Sequence, residues 1–400
     1  MIRRLPLLLM ILFVCQTGWA GKKKETMYKY SLDFTFSKTN FVDTIPLRVV
    51  KGQLLVPVTM NGEKLFFKLD TGSGQGMIYQ GGRIQPKARL GKVNSTDGNN
   101  HQQQIDVVSL PSFTLGSLRV DNYVASVAPG SVLGQHYDHA AIIGFDLFEK
   151  GLTGKIDVQN KRLIITDRKA FFEREGGYAL GYKLRGHVPC VKVEPVAGLA
   201  DEVVFDSGLS GFYRMGKERF DRCVRKSKLL AGQVEERVRG SISISNHSVE
   251  NEDEIAFLKL RELRWAGYAF CHVDARTHQG ASTIGRDILR YGALVVNPFR
   301  KQLVFQPYAA GTSTDVQVED DSADIFYVPR DGKPTVGLVR QHSDMYKAGF
   351  RKGDVILSIN GHATPDFSTF LRQGFVKGRK NTLVLRDVRG FKKEVSFFNN

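Results

Sequence analysis

The chain has 400 residues, of which 42% are hydrophobic and 24% are charged, and its formal net charge is +16. This composition is typical of a globular protein with a sizeable core, and the length indicates two or three domains. The positive charge is spread along the chain and no nucleic-acid-binding motif accompanies it, so we predict no nucleic-acid partner. A basic surface of this kind is normally solvated, and at most it attracts the protein weakly to an anionic envelope surface.

Residues 1–20 have the pattern of a signal peptide. Two arginines precede an apolar run from Leu5 to Cys15, and the small residue Ala20 stands at the expected cleavage point. The run is too short to span a bilayer, and no later stretch reaches that length, so we predict no transmembrane segment in the mature chain. We expect an exported protein, in the periplasm or cell envelope of a Gram-negative bacterium or secreted, with residues 21–44 as an N-terminal leader segment.

Two stretches of the sequence contain the same features in the same order. Each begins with two predicted strands that end on an aspartate, "LLVPVTMNGEKLFFKLDTG" on Asp70 and "VPCVKVEPVAGLADEVVFDSG" on Asp206. In the first stretch, Asn-Gly between two apolar runs is a strong hairpin signal. Each stretch continues with a matched Leu, Arg and Tyr pattern, an apolar residue before Gly144 or Gly285, and a closing apolar hairpin. Four matched features predict one mainly β fold that has been duplicated.

The remainder of the chain divides into four parts. The first lobe is predicted to span residues 45–170 and the second lobe residues 171–310. Residues 311–323 are rich in Thr, Ser, Asp and Glu without any periodicity, which predicts a linker. Residues 324–400 form a separate small unit with several short strands and one predicted helix, from Phe367 to Gln373.

The paired Asp-Ser/Thr-Gly motifs have a specific chemical use. Two carboxyl groups about 3 Å apart cannot both ionise, so one stays protonated while the other carries the charge. The charged group can take a proton from an attacking water, and the protonated group can donate to the carbonyl oxygen of an amide. The sequence therefore predicts Asp70 and Asp206 as a catalytic pair that needs neither a metal nor a cofactor.

The residues next to each aspartate suit such a pair. The hydroxyls of Thr71 and Ser207 are expected to tie the two loops together beneath the carboxyl groups. The glycine after each hydroxyl permits a close backbone approach, and a glycine later in each copy lets another strand pass behind the loop. The predicted supporting residues are Thr71, Gly72, Ser73, Ser207, Gly208, Gly144 and Gly285.

On these motifs the two copies resemble the two lobes of an aspartic protease, closer to the retropepsins than to pepsin. The segments "IIGFDLF" and "TIGRDIL" are similar to the apolar-apolar-Gly segment that follows the Asp-Thr-Gly loop in retropepsins. The stretch "IPLRVVKGQLLVPVTMNGEKLFFKLDTGS" resembles the first lobe of bacterial envelope members. The resemblance implies a two-lobed acid-protease β-barrel fold, a flap hairpin within Gly91 to Gln104, and peptide or unfolded protein as substrate.

The C-terminal unit carries a second resemblance. "AGFRKGDVILSINGH" (Ala348 to His362) closely resembles the PDZ consensus, and bacterial proteins of this group often carry a C-terminal PDZ domain. This implies a small β/α domain that binds an extended peptide along a sheet edge, although a structural docking role is nearly as well supported. "RDGKPT" stands where a carboxylate-binding loop is expected. The predicted PDZ-like turn residues are Gly353, Asp354, Asn360 and Gly361.

The sequence also departs from the protease pattern. Leu209 follows the second Asp-Ser-Gly, where the first loop has Ser73, and the predicted flap lacks the Tyr of pepsin-like flaps. Arg286 matches an arginine that pairs with an acidic residue in retropepsins, and neither loop offers that acid. These departures support a competing hypothesis, a catalytically inactive peptide-binding scaffold with the same fold. Retention of both aspartates and both hydroxyls favours the enzyme.

Other candidate sites have weaker support. Cys190, Cys223 and Cys271 remain after loss of the signal peptide, so at most one intramolecular disulfide can form, and buried free thiols are expected. Their spacing fits no zinc site. "HYDH" (His136 to His139) contains metal-ligand residue types, and a polar loop is the preferred interpretation.

Overall fold

Strands make up most of the regular structure. The computed structural model describes residues 32–99, 101–128, 138–245, 248–317 and 324–399. It is 53% strand and 10% helix, which confirms the predicted mainly β class. The predicted signal peptide lies outside the described residues. Among the residues that are described, no helix is long and apolar enough to cross a membrane.

The first half of the chain builds an eleven-stranded sheet around the first aspartate. Asn61 and Gly62 both have positive φ, 51° and 80°, the backbone of the tight hairpin turn that the sequence predicts. The strands are β1 (Thr35–Phe36), β3 (Arg48–Val50), β4 (Gln53–Met60), β5 (Glu63–Leu69), β6 (Gly76–Tyr79), β7 (Ala88–Thr96), β8 (Gln102–Ser109), β9 (Phe113–Leu115), β10 (Leu118–Asp121), β11 (Val124–Ala128) and β12 (Ala141–Ile143), followed by helix α1 (Asp146–Glu149).

The second half builds a nine-stranded sheet around the second aspartate. Its strands are β16 (Lys183–Arg185), β17 (Val188–Val196), β18 (Leu199–Asp206), β19 (Tyr213–Gly216), β20 (Val234–Gly240), β21 (Asp253–Trp265), β22 (Tyr268–His278), β23 (Thr283–Gly285) and β26 (Ser313–Asp315). Helices α2 (Lys217–Val224) and α3 (Lys228–Ala231) and a 3-10 helix (Arg286–Arg290) connect them.

A six-stranded sheet joins the two halves. It has the order β15-β25-β24-β13-β14-β2, and its middle pair is β13 from the first half beside β24 from the second. Buried side chains from both halves pack around it in one continuous core. The strands are β2 (Val42–Pro46), β13 (Thr153–Asp157), β14 (Arg162–Thr166), β15 (Tyr178–Gly181), β24 (Gly292–Asn297) and β25 (Gln302–Pro307), and a second 3-10 helix covers Glu173–Glu175.

The C-terminal unit has its own six-stranded sheet and its own core. It also packs on the second half, where Phe326 and Leu338 bury against Ile242, Ile255 and Phe257. The elements are β27 (Ile325–Arg330), β28 (Lys333–Val339), α4 (Asp344–Lys347), β29 (Val355–Ile359), β30 (His362–Ala363), α5 (Phe367–Gln373), β31 (Arg379–Arg386) and β32 (Lys392–Asn399).

Three predicted segment assignments need correction. The predicted leader, residues 21–44, belongs to the fold from residue 32 onward, because β1 pairs with β10, β2 pairs with β14, and Phe34 is fully buried. The predicted linker 311–323 contains β26, which pairs with β22, and residues 318–323 lie outside the described ones. "RDGKPT" forms the tight turn between β27 and β28, with positive φ at Asp331 and Gly332, so it is no open carboxylate-binding loop.

We expect the core around the central sheet to control stability. Phe305 in β25 is fully buried against Tyr268 and Phe270, so Phe305→Ala should lower the free energy of unfolding by about 3–5 kcal/mol. Urea denaturation followed by circular dichroism measures this change. Phe391→Ala, at a side chain that is 65% exposed, is the control and should stay within about 0.5 kcal/mol of wild type. Equal effects of the two substitutions would contradict this packing.

Candidate active site

Each predicted aspartate lies where a strand ends in a tight turn. Asp70 follows β5, which runs parallel to β12, and Asp206 ends β18, which runs parallel to β23. In each turn, the amide three residues later donates to the aspartate's own carbonyl, from Ser73 at 3.1 Å and from Leu209 at 3.2 Å. The parallel partner strand holds each turn from one side, so the two aspartates project from equivalent positions.

The two hydroxyls beside the aspartates bind the opposite loop in a reciprocal arrangement. The backbone N–H of Thr71 donates to Ser207 Oγ at 3.0 Å, and the N–H of Ser207 donates to Thr71 Oγ1 at 2.9 Å. Each hydroxyl then donates to the other strand, Thr71 to the carbonyl of Phe205 and Ser207 to that of Leu69. Both side chains are fully buried. Four hydrogen bonds therefore lock the two loops together across the halves.

The carboxyl groups meet above this contact. The carboxyl groups of Asp70 and Asp206 adjoin each other, and each shifts the pKa of the other. Gly72 N–H donates to Asp70 Oδ1 at 3.2 Å, and Gly208 N–H donates to Asp206 Oδ1 at 2.8 Å. A Cβ atom at either glycine would overlap the carboxyl group of the opposite lobe, so only glycine permits this approach.

The later glycines lie directly behind the two loops. A Cβ at Gly144 would lie 2.7 Å from the carbonyl oxygen of Ser73, and a Cβ at Gly285 would overlap Gly211. The residues after these glycines bind the loops through their amides, Phe145 to Ser73 at 2.7 Å and Arg286 to Leu209 at 3.0 Å. The structure thus brings every predicted supporting residue of the two lobes to one place.

Lys68 is a site residue that the sequence interpretation missed. Its Nζ lies 2.9 Å from Asp70 Oδ2, and both side chains are only 14% exposed. Alternate residues of a strand share a face, so a lysine two positions before the aspartate was the available signal. Ser73 does not reach the carboxyl group, because its hydroxyl donates to the carbonyl of Gln75 at 2.7 Å.

The environments of the two carboxyl groups differ. Burial raises the pKa of Asp70, but the charge and hydrogen bond of Lys68, with hydrogen bonds from Asp206 and Gly72, outweigh it and lower the pKa below its usual range. Burial and the negative charge of Asp70 raise the pKa of Asp206 to about 7. The pair therefore holds one proton over a wide pH range.

Arg286, for which neither loop sequence offers an acidic partner, contacts the backbone of the second aspartate loop. Its Nη1 donates to the carbonyl of Gly208 at 3.4 Å, and its guanidinium packs against Gly52, where a Cβ would overlap it. Burial lowers its pKa, while the charges of Asp287, Asp206 and Asp70 oppose that effect. Arg286 thus supports the backbone of the second loop and places a positive charge near both aspartates.

The predicted flap is the hairpin of β7 and β8, and its tip contacts the second half. Gly98 N–H donates to Ser245 Oγ at 2.9 Å, and Asn99 Nδ2 donates to the carbonyl of Ser248 at 3.2 Å. Ser248 Oγ donates to Asp97 Oδ2 at 2.7 Å. The hairpin therefore reaches from one half of the protein to the other through polar contacts rather than an aromatic side chain.

The weaker candidates have ordinary structural settings. Cys190, Cys223 and Cys271 are unpaired, and the first two are buried. His136 lies outside the described residues, while His139 is buried and lies 2.6 Å from the hydroxyl of Tyr79. Within the described ranges, no group of three His, Cys, Asp or Glu residues could hold a metal ion.

The predicted PDZ-like turn residues stabilise the C-terminal unit from within. Gly353 has φ 89°, and buried Asp354 accepts a hydrogen bond from Arg351 N–H and pairs with Lys393, each at 2.7 Å. Asn360 and Gly361, both with positive φ, form the turn between β29 and β30. These four residues shape turns and are remote in sequence from β27, the edge strand of the sheet.

Removing one buried hydroxyl should test the contact between the loops. Thr71→Ala leaves the N–H of Ser207 and the carbonyl of Phe205 without a partner, so we expect a loss of about 1–3 kcal/mol of unfolding free energy. Thr71→Ser retains the hydroxyl and should recover most of this loss. Chemical denaturation of the three proteins measures it, and an unchanged Thr71→Ala variant would refute the role of the hydroxyl.

The contact at the hairpin tip is testable by hydrogen exchange. Ser248→Ala removes the hydrogen bond to Asp97, so peptides that cover residues 97–101 should exchange faster than in wild type. Ser368→Ala, in α5 of the C-terminal unit, is the control and should leave that exchange unchanged. Equal exchange at the tip in all three proteins would show that this bond does not hold the hairpin.

Among comparisons with known proteins, one family match surrounds the first aspartate loop. A solved structure, the crystal structure of basic 7S globulin from soybean, is 9% identical, covers 66% of this chain and 94% of that chain, and gives a TM-score of 0.41. No curated protein matches the sequence. Residues 56–147, from the hairpin before Asp70 to just after Gly144, match the model of a family described as aspartyl protease.

Proposed function

We propose that this protein is an exported aspartic endopeptidase that hydrolyses peptide bonds with a water activated between Asp70 and Asp206. The observation that carries the proposal is the pair of adjoining carboxyl groups at the junction of the two loops, each packed against the glycine of the opposite loop. A binding protein gains nothing from two partly buried acids that repel each other. The aspartyl protease family match over residues 56–147 supports the same reaction class.

The proposed mechanism needs one proton on the pair. The charged carboxylate takes a proton from water as the oxygen attacks the amide carbon, and the protonated carboxyl donates to the carbonyl oxygen. When the tetrahedral intermediate collapses, the first group gives its proton to the leaving amine and the second recovers its own. The pair returns to its starting state without any metal or covalent intermediate.

The substrate class follows from the shape of the site. The tip of the β7 and β8 hairpin contacts the second half, and we infer that this hairpin covers a substrate chain held in an extended conformation at the aspartates. A folded protein cannot present a peptide bond in that manner. We therefore infer that the substrates are unfolded segments or peptides, and that the protein acts in the periplasm or cell envelope, or after secretion.

We further infer that residues 324–400 form a PDZ-like domain that binds a peptide or docks a partner. Strand β27 is an edge strand, and helix α5 packs beside it with the rings of Tyr327 and Phe370 4.9 Å apart. A strand edge next to a helix is the place where such domains add a peptide. Ion pairs from Arg340 to Glu235 and Glu236 hold this unit against the second half.

The competing function is an inactive peptide-binding scaffold. It is favoured by two observations, the apolar Leu209 in the second loop and the hydroxyl of Ser73, which faces Gln75 rather than Asp70. Both remove a side-chain hydrogen bond from the carboxyl pair. A scaffold would bind unfolded chains without cleaving them, so one cleavage assay separates the two functions.

Cleavage of an unfolded protein between pH 3 and 8 tests the proposal. Wild type should be active while the pair holds one proton, so activity should fall above about pH 7 as Asp206 loses its proton and at acid pH as Asp70 gains one. Asp70→Asn and Asp206→Asn should each abolish cleavage.

The control is Asp331→Asn, in an exposed turn of the C-terminal unit, which should retain full activity. Circular dichroism should show the same fold for all four proteins. A folded wild type that cleaves nothing over the whole pH range, yet binds the unfolded substrate, would replace the enzyme with the scaffold.

A further inference from the structure

The two aspartate loops are alike in backbone but unlike in charge. Lys68 and Val204 occupy the same position, two residues before the aspartate, and each pairs with the parallel strand behind its loop, Lys68 with Ile142 and Val204 with Thr283. The first aspartate thus has a cation on its own strand, whereas the second has an apolar side chain at the matching place.

Lys68 contacts one carboxylate oxygen of Asp70 directly. Its ammonium lies 2.9 Å from Asp70 Oδ2, while the other oxygen of Asp70 accepts from Gly72 N–H. Among the described residues, Lys68 is the only cationic side chain that hydrogen-bonds to either aspartate. The low exposure of both side chains, 14% each, keeps water from screening the pair.

The other charged groups around the pair act through space. Arg286, behind the second loop, faces both aspartates, and Arg214 in β19 faces Asp206. His139, just before β12, lies near Lys68 and Asp70, and burial followed by the charge of Lys68 lowers its pKa to about 4. His139 is therefore neutral above about pH 4. Arg214 and Arg286 donate to the carbonyls of Ser210 and Gly208, and within the described part of the chain neither hydrogen-bonds to Asp70 or Asp206.

We propose that Lys68 is a positioning residue that holds the negative charge on Asp70 and leaves the shared proton on Asp206. The inference rests on the proposed hydrolysis and assigns the two roles within it. Asp70 takes the proton from the attacking water, and Asp206 donates its proton to the carbonyl oxygen. On collapse, Asp70 gives the water-derived proton to the leaving amine, and Asp206 takes back the proton from the intermediate's hydroxyl.

The directions of the two pKa shifts agree with this assignment. The pKa of Asp70 is lowered despite its burial, and the pKa of Asp206 is raised by burial and by the charge on Asp70. An opposite charge within about 4–6 Å typically lowers an aspartate pKa by about 1–3 units, which is enough to decide which of two coupled acids ionises first.

The test replaces the ammonium without removing the side-chain volume. In Lys68→Met, the acid limb of the pH–activity profile should move to higher pH by about one unit or more, because Asp70 then binds a proton more readily. The alkaline limb should move in the same direction by less, since Lys68 also acts on Asp206 at longer range. At pH values below the acid limb of both proteins, each unit of this shift should lower the relative activity of the variant about tenfold.

Two further variants separate charge from structure. Lys68→Arg keeps a cation at the site and should restore the wild-type acid limb. Lys64→Met, at an exposed position on the same strand, should leave the profile unchanged. If both limbs of the pH–activity profile of Lys68→Met stay within about 0.3 pH units of their wild-type positions while cleavage still depends on both aspartates, the inference is wrong and the proposed function stands.

The order in which the two aspartates ionise can also be measured without an activity assay. Carbon-13 NMR of labelled aspartate side chains, assigned with Asp70→Asn and Asp206→Asn, follows the titration of each carboxyl group in the folded protein. Wild type should show Asp70 ionising at the lower pH, and Lys68→Met should move that step upward. If Asp206 ionises first in wild type, the assignment is overturned, whether or not the protein cleaves a substrate.

Discussion

The structure depends on one contact, the reciprocal hydrogen bonding of Thr71 and Ser207 beneath two carboxyl groups. Neither loop can satisfy its buried amide and hydroxyl groups alone, because each partner comes from the other half. Leaving fully buried polar groups without hydrogen bonds costs free energy of folding, so the contact between the two halves at this point stabilises the folded state. The contact also forces two acids together, and that repulsion is relieved only by a shared proton.

The central sheet makes this contact possible. Strands β13 and β24 pair in the middle, and side chains from both halves fill one core on its surface, so the halves cannot separate without exposing that core. The glycines at 144 and 285 then let the strands behind the loops approach the backbone within van der Waals distance. The site thus depends on the packing of both halves around the central sheet, while the C-terminal unit packs on the second half.

The sequence predicted those parts whose signals are local and repeated. The aspartate turns, the hairpin at Asn61 and the helix from Phe367 to Gln373 each depend on a short run of residues, and the structure has them at those positions. Strand β2 was missed because its partner β14 lies more than 100 residues away and only one of its side chains is buried. Lys68 was missed because a lysine in a strand normally faces solvent, and the shielding of this one comes from tertiary packing.

The two aspartate loops have like backbones but differ in charge two residues before the aspartate. The proposed hydrolysis needs one base and one acid, and two aspartates in equal settings would hold the shared proton equally, so either one would serve as the base. Lys68, where the second half has Val204, favours the arrangement in which Asp70 is the base, because its ammonium pairs directly with Asp70. The ammonium costs desolvation free energy, yet the charge it stabilises on Asp70 raises the proton affinity of Asp206. In the proposed reaction, this difference in charge between the two loops sets the direction of proton transfer.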